Sequence, residues 1–323
     1  MHMASFIWAN LNPCNYVGGT RFDSEKDIPN LSGKVILVTG GNSGLGKETV
    51  RQIVRHNPQQ IFLAARSEQK TLEVIQTIKE SESYDGEIHW LPMDLASCAS
   101  VTNAAEQFVS KASRLDILML NAGAMFLPPG ETSLGHDNQF GINYTGHFLL
   151  TKLLLPLLLK TAKQPNSNVR VITLSSIGHT LAPTFDVFMD QQKLKSLDTF
   201  ARYGASKAAN ILFAAELARR YPSITSVSVH PGMILTDLYG PLSERSTAVK
   251  LGFQTLRFLG STVAEGVRNQ LWAAFGAKKE EIQQGAYYVP VGNHKQGNRY
   301  AVDELMGKRL WNWTESELVR SGF

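Results

Sequence analysis

The chain has 323 residues, 43% of them hydrophobic and 19% charged, and its 32 basic and 28 acidic side chains leave a net charge of +4. That apolar share is enough for a sizeable core and excludes a mostly disordered chain, while the length suits two domains or one large α/β unit. The basic residues are scattered rather than gathered on one face or helix, which argues against a nucleic-acid partner.

Cys14 and Cys98 are the only cysteines, so there is neither a disulfide framework nor a cysteine zinc site, and a reducing compartment is expected. The N-terminal stretch MHMASFIWANLNPC has no basic flank and no apolar run long enough for a signal peptide. Residues 1–30 show no periodicity and are expected to lie as an extension on a single domain spanning residues 31–323. The most apolar window, Phe148–Leu159, is far shorter than the ~20 residues of a membrane span and is interrupted by Lys152 and Pro156. It is expected to be a mostly buried helix, with no membrane anchor, in a cytoplasmic protein.

Taken in chain order, β-rich runs fall at Val35–Thr39, Ile61–Ala65, Ile88–Leu91, Leu115–Leu120, Val169–Ser175, Thr225–His230 and Gly285–Pro290. They are continuously apolar rather than alternating, as strands covered on both faces are. Helical stretches lie between them at Leu45–Arg55, Glu68–Glu80, Ala99–Ala112 and about His136–Ala162, and two short helical pieces follow Pro290, around Val302–Lys308 and Glu315–Val319. Alternating β and α units predict a single doubly wound parallel sheet with helices on both faces.

The first strand runs into Thr39-Gly40-Gly41-Asn42-Ser43-Gly44-Leu45-Gly46 and then a helix. Glycines at such a turn let the backbone approach a pyrophosphate, which sits on the helix N-terminus. A glycine turn without ligand is the plain alternative, but the strand–turn–helix context speaks for the ligand. After the second strand, where an acid would hold a ribose 2′-hydroxyl, the chain reads Ala64-Ala65-Arg66-Ser67, with no carboxylate before Glu68. Arg66 can instead pair with a 2′-phosphate, so the expected cofactor is NADP(H); the alternative is that Arg66 merely ends a surface strand.

Tyr203 and Lys207 stand four residues apart, on one helix face. A Tyr titrates near 10 and is a poor acid–base group at neutral pH; a nearby cation and an oxidised nicotinamide move it toward working pH. Ser175 and Ser176 close a buried strand, and Asn143 lies inside a helix, where Asn is mildly unfavourable unless its side chain or carbonyl is used. Leu120-Asn121-Ala122-Gly123 ends the fourth strand, and His230-Pro231-Gly232-Met233-Ile234-Leu235-Thr236 ends the sixth.

In order and context these motifs resemble the short-chain dehydrogenase/reductase family over roughly residues 32–290, including its Gly40, Gly44, Gly46 spacing. The resemblance implies a Rossmann fold with Asn143, Ser176, Tyr203 and Lys207 as catalytic tetrad. Tyr203 would be the general acid or base, Lys207 would also hold the nicotinamide ribose, and Asn143 a proton-relaying water. It implies cofactor contacts from Gly40, Asn42, Ser43, Gly44, Leu45, Gly46, Arg66, Asn121, Ala122, Gly123, Pro231 and Gly232. Asp94 and Leu95 would meet the adenine, Thr236 the carboxamide, and Asn121 would steady the central strand. The alternative for Asp94 and Asn121 is a purely structural role.

Tyr203 follows Ser176 by 27 residues. That length, Ala64-Ala65-Arg66, and Ser206-Lys207-Ala208-Ala209-Asn210-Ile211-Leu212-Phe213 resemble the retinol-dehydrogenase-like branch. The ending Leu310-Trp311-Asn312-Trp313-Thr314 is similar to fungal members, many of which serve secondary metabolism. The expected activity is carbonyl–alcohol interconversion on a small molecule. Phe185, Phe188, Met189, Met233 and a capping segment at Leu238–Leu259 suggest a bulky, lipophilic one. Family dimers pair their fourth and fifth helices, so Phe148–Leu159 with Ile211–Ala218 could make a homodimer, although the same residues would serve the core. A non-catalytic NADPH-binding regulator and a reductase coupled to cyclisation are the alternative functions.

Overall fold

The computed structural model describes residues 19–232, 234, 262–295 and 298–323. The expectations for residues 1–18, Cys14 among them, and for Met233, Thr236 and Leu238–Leu259 fall outside the described residues.

The apolar runs form strands β1 (Val35–Thr39), β2 (Gln60–Ala65), β3 (Glu87–Pro92), β4 (Ile117–Leu120), β5 (Arg170–Leu174), β6 (Thr225–Val229), β7 (Tyr287–Val289) and β8 (Asn293–His294). They make one sheet in the order β3-β2-β1-β4-β5-β6-β7-β8. All neighbours are parallel except β7 and β8, which pair antiparallel. Every residue of β1, β4, β5 and β6 is buried; that suits the apolar runs of β1 and β4, while β5 and β6 also bury the polar side chains of Arg170, Thr173, Thr225, Ser226 and Ser228. The edge strand β3 is covered less well, with Glu87 exposed and Trp90 half-buried.

Helices α1 (Gly44–Ile53) and α2 (Glu68–Ser81) lie on one face of the sheet with the segment 263–282. Helices α3 (Cys98–Lys111), α4 (Gly146–Ala162), α5 (Thr199–Arg220) and α6 (Glu304–Arg320) lie on the other. Side-chain oxygens that accept the otherwise unpaired first-turn N–H groups start several of them: Ser67 accepts from Lys70, Ser97 from Ser100, and Asp198 from Phe200 and Ala201.

Two details differ from the sequence reading. The long fourth helical stretch is not uniform: a π-helical turn, Gly141–Thr145, precedes α4 and holds Asn143. The expected helix over Phe148–Leu159 runs through Pro156, which faces solvent, where water can take the carbonyl its ring leaves unpaired. The two C-terminal pieces fuse into the single helix α6 through Trp311-Asn312-Trp313-Thr314. Those residues are poor helix formers, but packing overrides propensity. Trp311 lies 4.7 Å from Phe148 and stacks on Phe213, and Thr314 shares a 2.6 Å hydrogen bond with the Tyr144 hydroxyl.

From β1 the chain winds outward to β2 and β3, then returns to place β4 on the other side of β1. The connections leaving β1 and β4 therefore diverge and open a crevice at the carboxyl ends of the strands.

Candidate active site

That crevice is a cleft of about 470 Å³. Its rim is the loop from Gly40 to Leu45. Gly40 takes a positive φ of 66°, and a Cβ on Gly46 would stand 2.2 Å from the Gly40 carbonyl oxygen. Glycine at both places is what lets α1 start tight against β1. Ser43, at the helix N-cap, makes no side-chain capping bond, so the first-turn N–H groups stay available to an anion in the cleft.

The cleft continues past Ala64, Ala65, Arg66, Ser67 and Lys70. Arg66 is exposed, and Lys70 was not singled out from the sequence. The signal was there, since Lys70 lies four residues after Arg66 in the first turn of α2. Asp94 and Leu95 also line the cleft, with Asp94 accepting from the Ala96 N–H at 3.0 Å, as do Asn121, Ala122, Gly123, Pro231 and Gly232. Asn121 donates to the Thr39 carbonyl at 2.9 Å and so ties β4 to β1.

Of the cofactor residues implied by the resemblance, Gly46 packs behind the loop and does not line the cleft. Met93, Leu127, Ile142, Leu174, His230 and Ile234 line it without having been foreseen.

Tyr203 and Lys207 from α5 and Ser176 from the end of β5 close the cleft floor, all buried. The two serines have separate tasks. Ser175 donates to the Lys207 carbonyl at 2.7 Å, locking β5 to α5, whereas the Ser176 hydroxyl accepts from the Gly178 N–H at 3.1 Å and lines the cleft with Tyr203. The Lys207 ammonium donates to the Leu174 carbonyl at 3.1 Å and lies 5.6 Å from the centre of the Tyr203 ring.

Burial governs both titrations. It pushes the Tyr203 phenol up to about 12, opposed by the Ser176 hydroxyl, and pulls Lys207 down to about 8. The expectation that Lys207 and an oxidised nicotinamide together bring the phenol toward working pH concerns the loaded site; in the protein alone burial sets the direction.

Asn143 is fully buried behind this floor. Its amide accepts from the Ala124 N–H at 2.7 Å and donates to the Ala124 carbonyl and the Ser206 hydroxyl, both at 2.9 Å. A Cβ on Gly123 would stand 3.5 Å from both the Asn143 Oδ1 and the Lys207 ammonium nitrogen, so Asn143 and Lys207 approach one small volume beside Gly123, behind the cleft floor that Ser176 and Tyr203 line.

Phe185 and Phe188 do not line the cleft. They pack 5.5 Å apart in the core, with Phe188 also against Phe140 and Tyr300, and Met189 packs against the same cluster. The residues expected to pair subunits are likewise used inside the chain. All of Ile211–Ala218 is buried, Phe213 lying under Trp311 of α6.

The short chain dehydrogenase family matches residues 34–188. A short-chain dehydrogenase/reductase of Armillaria gallica is 40% identical over 296 residues, 90% of this chain and 92% of that one. Retinol dehydrogenase 12 of Mus musculus is 32% identical over 284 residues, 87% of this chain and 85% of that one. Among crystal structures, an uncharacterized protein of Mycobacterium paratuberculosis superposes with a TM-score of 0.68 at 26% identity, over 93% of this chain and 97% of that one.

Proposed function

The chain belongs to the short-chain dehydrogenase/reductase family, in its retinol-dehydrogenase-like branch, and from that premise we propose an NADP(H)-dependent enzyme of the cytoplasm that interconverts a carbonyl and an alcohol on a bulky, lipophilic small molecule. The observation that carries this reading is Tyr203, buried in the cleft floor together with Ser176 and with the Lys207 ammonium 5.6 Å from its ring centre, one helical turn away.

The cleft suits the cofactor chemically. The glycine turn and the open N-terminus of α1 would receive the pyrophosphate, and Arg66 with Lys70 would pair with the 2′-phosphate where no carboxylate repels it. When bound, NADP(H) exchanges a hydride with the substrate carbon. Ser176 holds the substrate oxygen. Tyr203 gives that oxygen a proton in reduction and takes it back in oxidation. Lys207 supports the phenolate that reduction leaves behind. At neutral pH the phenol keeps its proton, so the protein by itself stands ready for reduction.

Leu127, Ile142 and Leu174 give the cleft an apolar wall, which supports a lipophilic substrate. The similarity of Leu310–Thr314 to fungal members favours a substrate from secondary metabolism.

The test is turnover of NADPH and NADH with a panel of lipophilic ketones and aldehydes, products being identified by mass spectrometry. NADPH consumption should match alcohol formation and vanish in Tyr203→Phe. Turnover indifferent to that substitution, or cofactor consumption with no alcohol formed, would overturn the proposal.

A further inference from the structure

His147 lies outside the tetrad, wholly buried on the first turn of α4, and its two ring nitrogens bridge the two halves of the site. Its Nδ1 is 3.0 Å from the backbone carbonyl of Asn143, in the π-helical turn. Its Nε2 is 2.9 Å from the Thr39 hydroxyl, the last residue of β1 before the glycine loop.

The proton positions along this line follow from its ends. A carbonyl can only accept, so Nδ1 carries the imidazole proton, and Nε2 must accept from the Thr39 hydroxyl. Thr39 Oγ1 in turn accepts from the Ala122 N–H at 2.9 Å. The Thr39 hydroxyl therefore accepts from Ala122 and donates to Nε2 at 2.9 Å, the closer of its two acceptors, the Met119 carbonyl lying at 3.5 Å. A neutral ring is what the surroundings favour: burial, with the nearby Lys207 cation adding to it, pulls His147 down to about 4.

What lies at each end gives the link its meaning. On one side, Asn143 clamps Ala124 and reaches Ser206, whose hydroxyl donates to the Tyr203 carbonyl at 2.8 Å. On the other, Thr39 holds the ends of β1 and β4 through Ala122 and Asn121. The first end carries the acid–base group, and the second carries the backbone that would seat the cofactor.

We infer that His147 is a positioning residue for the proposed reaction, holding the turn that carries Asn143 in register with the strand ends that frame the cofactor cleft. Hydride transfer depends on the alignment of two separately bound partners, and a displacement of about 1 Å can cost on the order of 100-fold in rate. A satisfied buried histidine with no bearing on alignment would make the same bonds, so the test separates the two.

The inference rests on the proposed function, and three variants with two readouts keep the two apart. His147→Phe keeps a ring and loses both hydrogen bonds. His147→Asn keeps a donor where Nδ1 stood, and His147→Gln reaches toward Thr39 without one. His147→Phe should lower kcat about 10- to 100-fold while changing substrate KM much less. His147→Asn should recover about tenfold of that loss, and His147→Gln should recover less.

The second readout needs neither substrate nor cofactor. Amide hydrogen exchange at Ala122 and Ala124, whose N–H groups bond to Thr39 and Asn143, should quicken about tenfold or more in His147→Phe. A folded His147→Phe with near-normal kcat, or losses in the Asn and Gln variants that merely track their melting temperatures, would overturn the inference. So would unchanged exchange at both amides, whatever the enzyme turns over. If the wild type reduces nothing while exchange quickens as expected, the proposed function fails and the link stands.

Discussion

The ammonium of Lys207 lies 5.6 Å from the ring centre of Tyr203, inside the protein, and its hydrogen-bond acceptor is the carbonyl of Leu174 rather than any carboxylate. A cation so placed destabilises the fold while it serves the phenol. Folding lowers its titration from 10.5 to about 8, so across that window the unfolded chain binds more protons than the folded one. Stability therefore rises as pH climbs from about 8 toward 10.5, and below about 8 the full penalty remains, on the order of a few kcal/mol.

Lys207→Met should consequently melt higher than the wild type at pH 7, where the burial penalty is present in full. It should lose the gain in stability that the wild type shows on going to more alkaline pH. Activity and cofactor affinity should fall together. Thermal melts across pH are the measurement, and a variant less stable than the wild type at neutral pH would show that the burial cost is not what dominates at this lysine.

Tyr203→Phe removes one hydroxyl while leaving a buried ring of the same shape. Its fold and its NADPH affinity should survive, and turnover should drop about 10²–10⁴-fold, the usual worth of a positioned acid–base group. Ser176→Ala should reduce turnover with little change in cofactor binding. Ser175→Ala should act on stability instead, because its hydroxyl is spent on the Lys207 carbonyl. Parallel kinetic and melting measurements on the three variants separate these roles.

Cofactor choice is expected to reside in Arg66 and Lys70, which stand together on the cleft where β2 meets α2. Charge-assisted hydrogen bonds of this kind contribute about 1.5–3 kcal/mol, so Arg66→Ala should weaken NADPH binding roughly 10- to 100-fold and leave NADH nearly untouched. Lys70→Ala should act in the same direction. Fluorescence titration reads both, and a wild type that binds the two cofactors equally would end the proposal.

What was legible in the sequence follows from which residues announce themselves locally. The central strands β1 and β4 were readable because both faces are covered and each run is therefore apolar throughout, while β6, Thr-Ser-Val-Ser-Val, was readable from its β-branched residues rather than from continuous hydrophobicity. The glycine loop and the Tyr203–Lys207 pair were readable because their spacing is their geometry. The π-helical turn at Gly141–Thr145 was not, since nothing in Gly-Ile-Asn-Tyr-Thr distinguishes a widened turn from a regular one; the only trace was an Asn where a helix disfavours it. Likewise β8 is two polar residues, Asn293 and His294, too short for any periodicity. Phe185 and Phe188 misled because an aromatic pair reads alike whether it walls a pocket or fills a core, and only the fold turns them toward Phe140 and Tyr300.

Helix α6 bears on subunit pairing. It lies across the face of α4 and α5 through Trp311, which touches Phe148, Phe213 and the Arg220 guanidinium. Pairing of two copies through α5 would require α6 to move away, whereas Leu153, Leu155 and Leu159 of α4 stay half-buried and are the residues a dimer would use. Light scattering at micromolar concentration is expected to give a monomer, and Trp311→Ala should cost about 3–5 kcal/mol by leaving a cavity at this junction. A dimer whose assembly is lost when Leu153 and Leu155 are replaced by polar residues would contradict the expectation.

The last prediction concerns Arg202, which precedes Tyr203 and is among the largest fully buried side chains. It donates to the Asp137 carboxylate and to the Leu127 carbonyl, each at 2.7 Å. The other Asp137 oxygen accepts from the Gln139 and Phe140 N–H groups, which starts the helix leading into the Asn143 turn. One ion pair thus joins α5, the turn carrying Asn143 and the apolar wall of the cleft. Breaking a buried pair by removing one partner leaves an uncompensated charge and costs about 3–5 kcal/mol. Arg202→Met should therefore destabilise strongly. Asp137→Asn, which still offers an oxygen to the N–H groups but no charge to the guanidinium, should fall between it and the wild type. The double variant should be less unstable than the sum of the two, because the second change removes the charge the first left unpaired. A double-mutant cycle by chemical denaturation measures that coupling, and simple additivity would show that the pair contributes nothing beyond its separate hydrogen bonds.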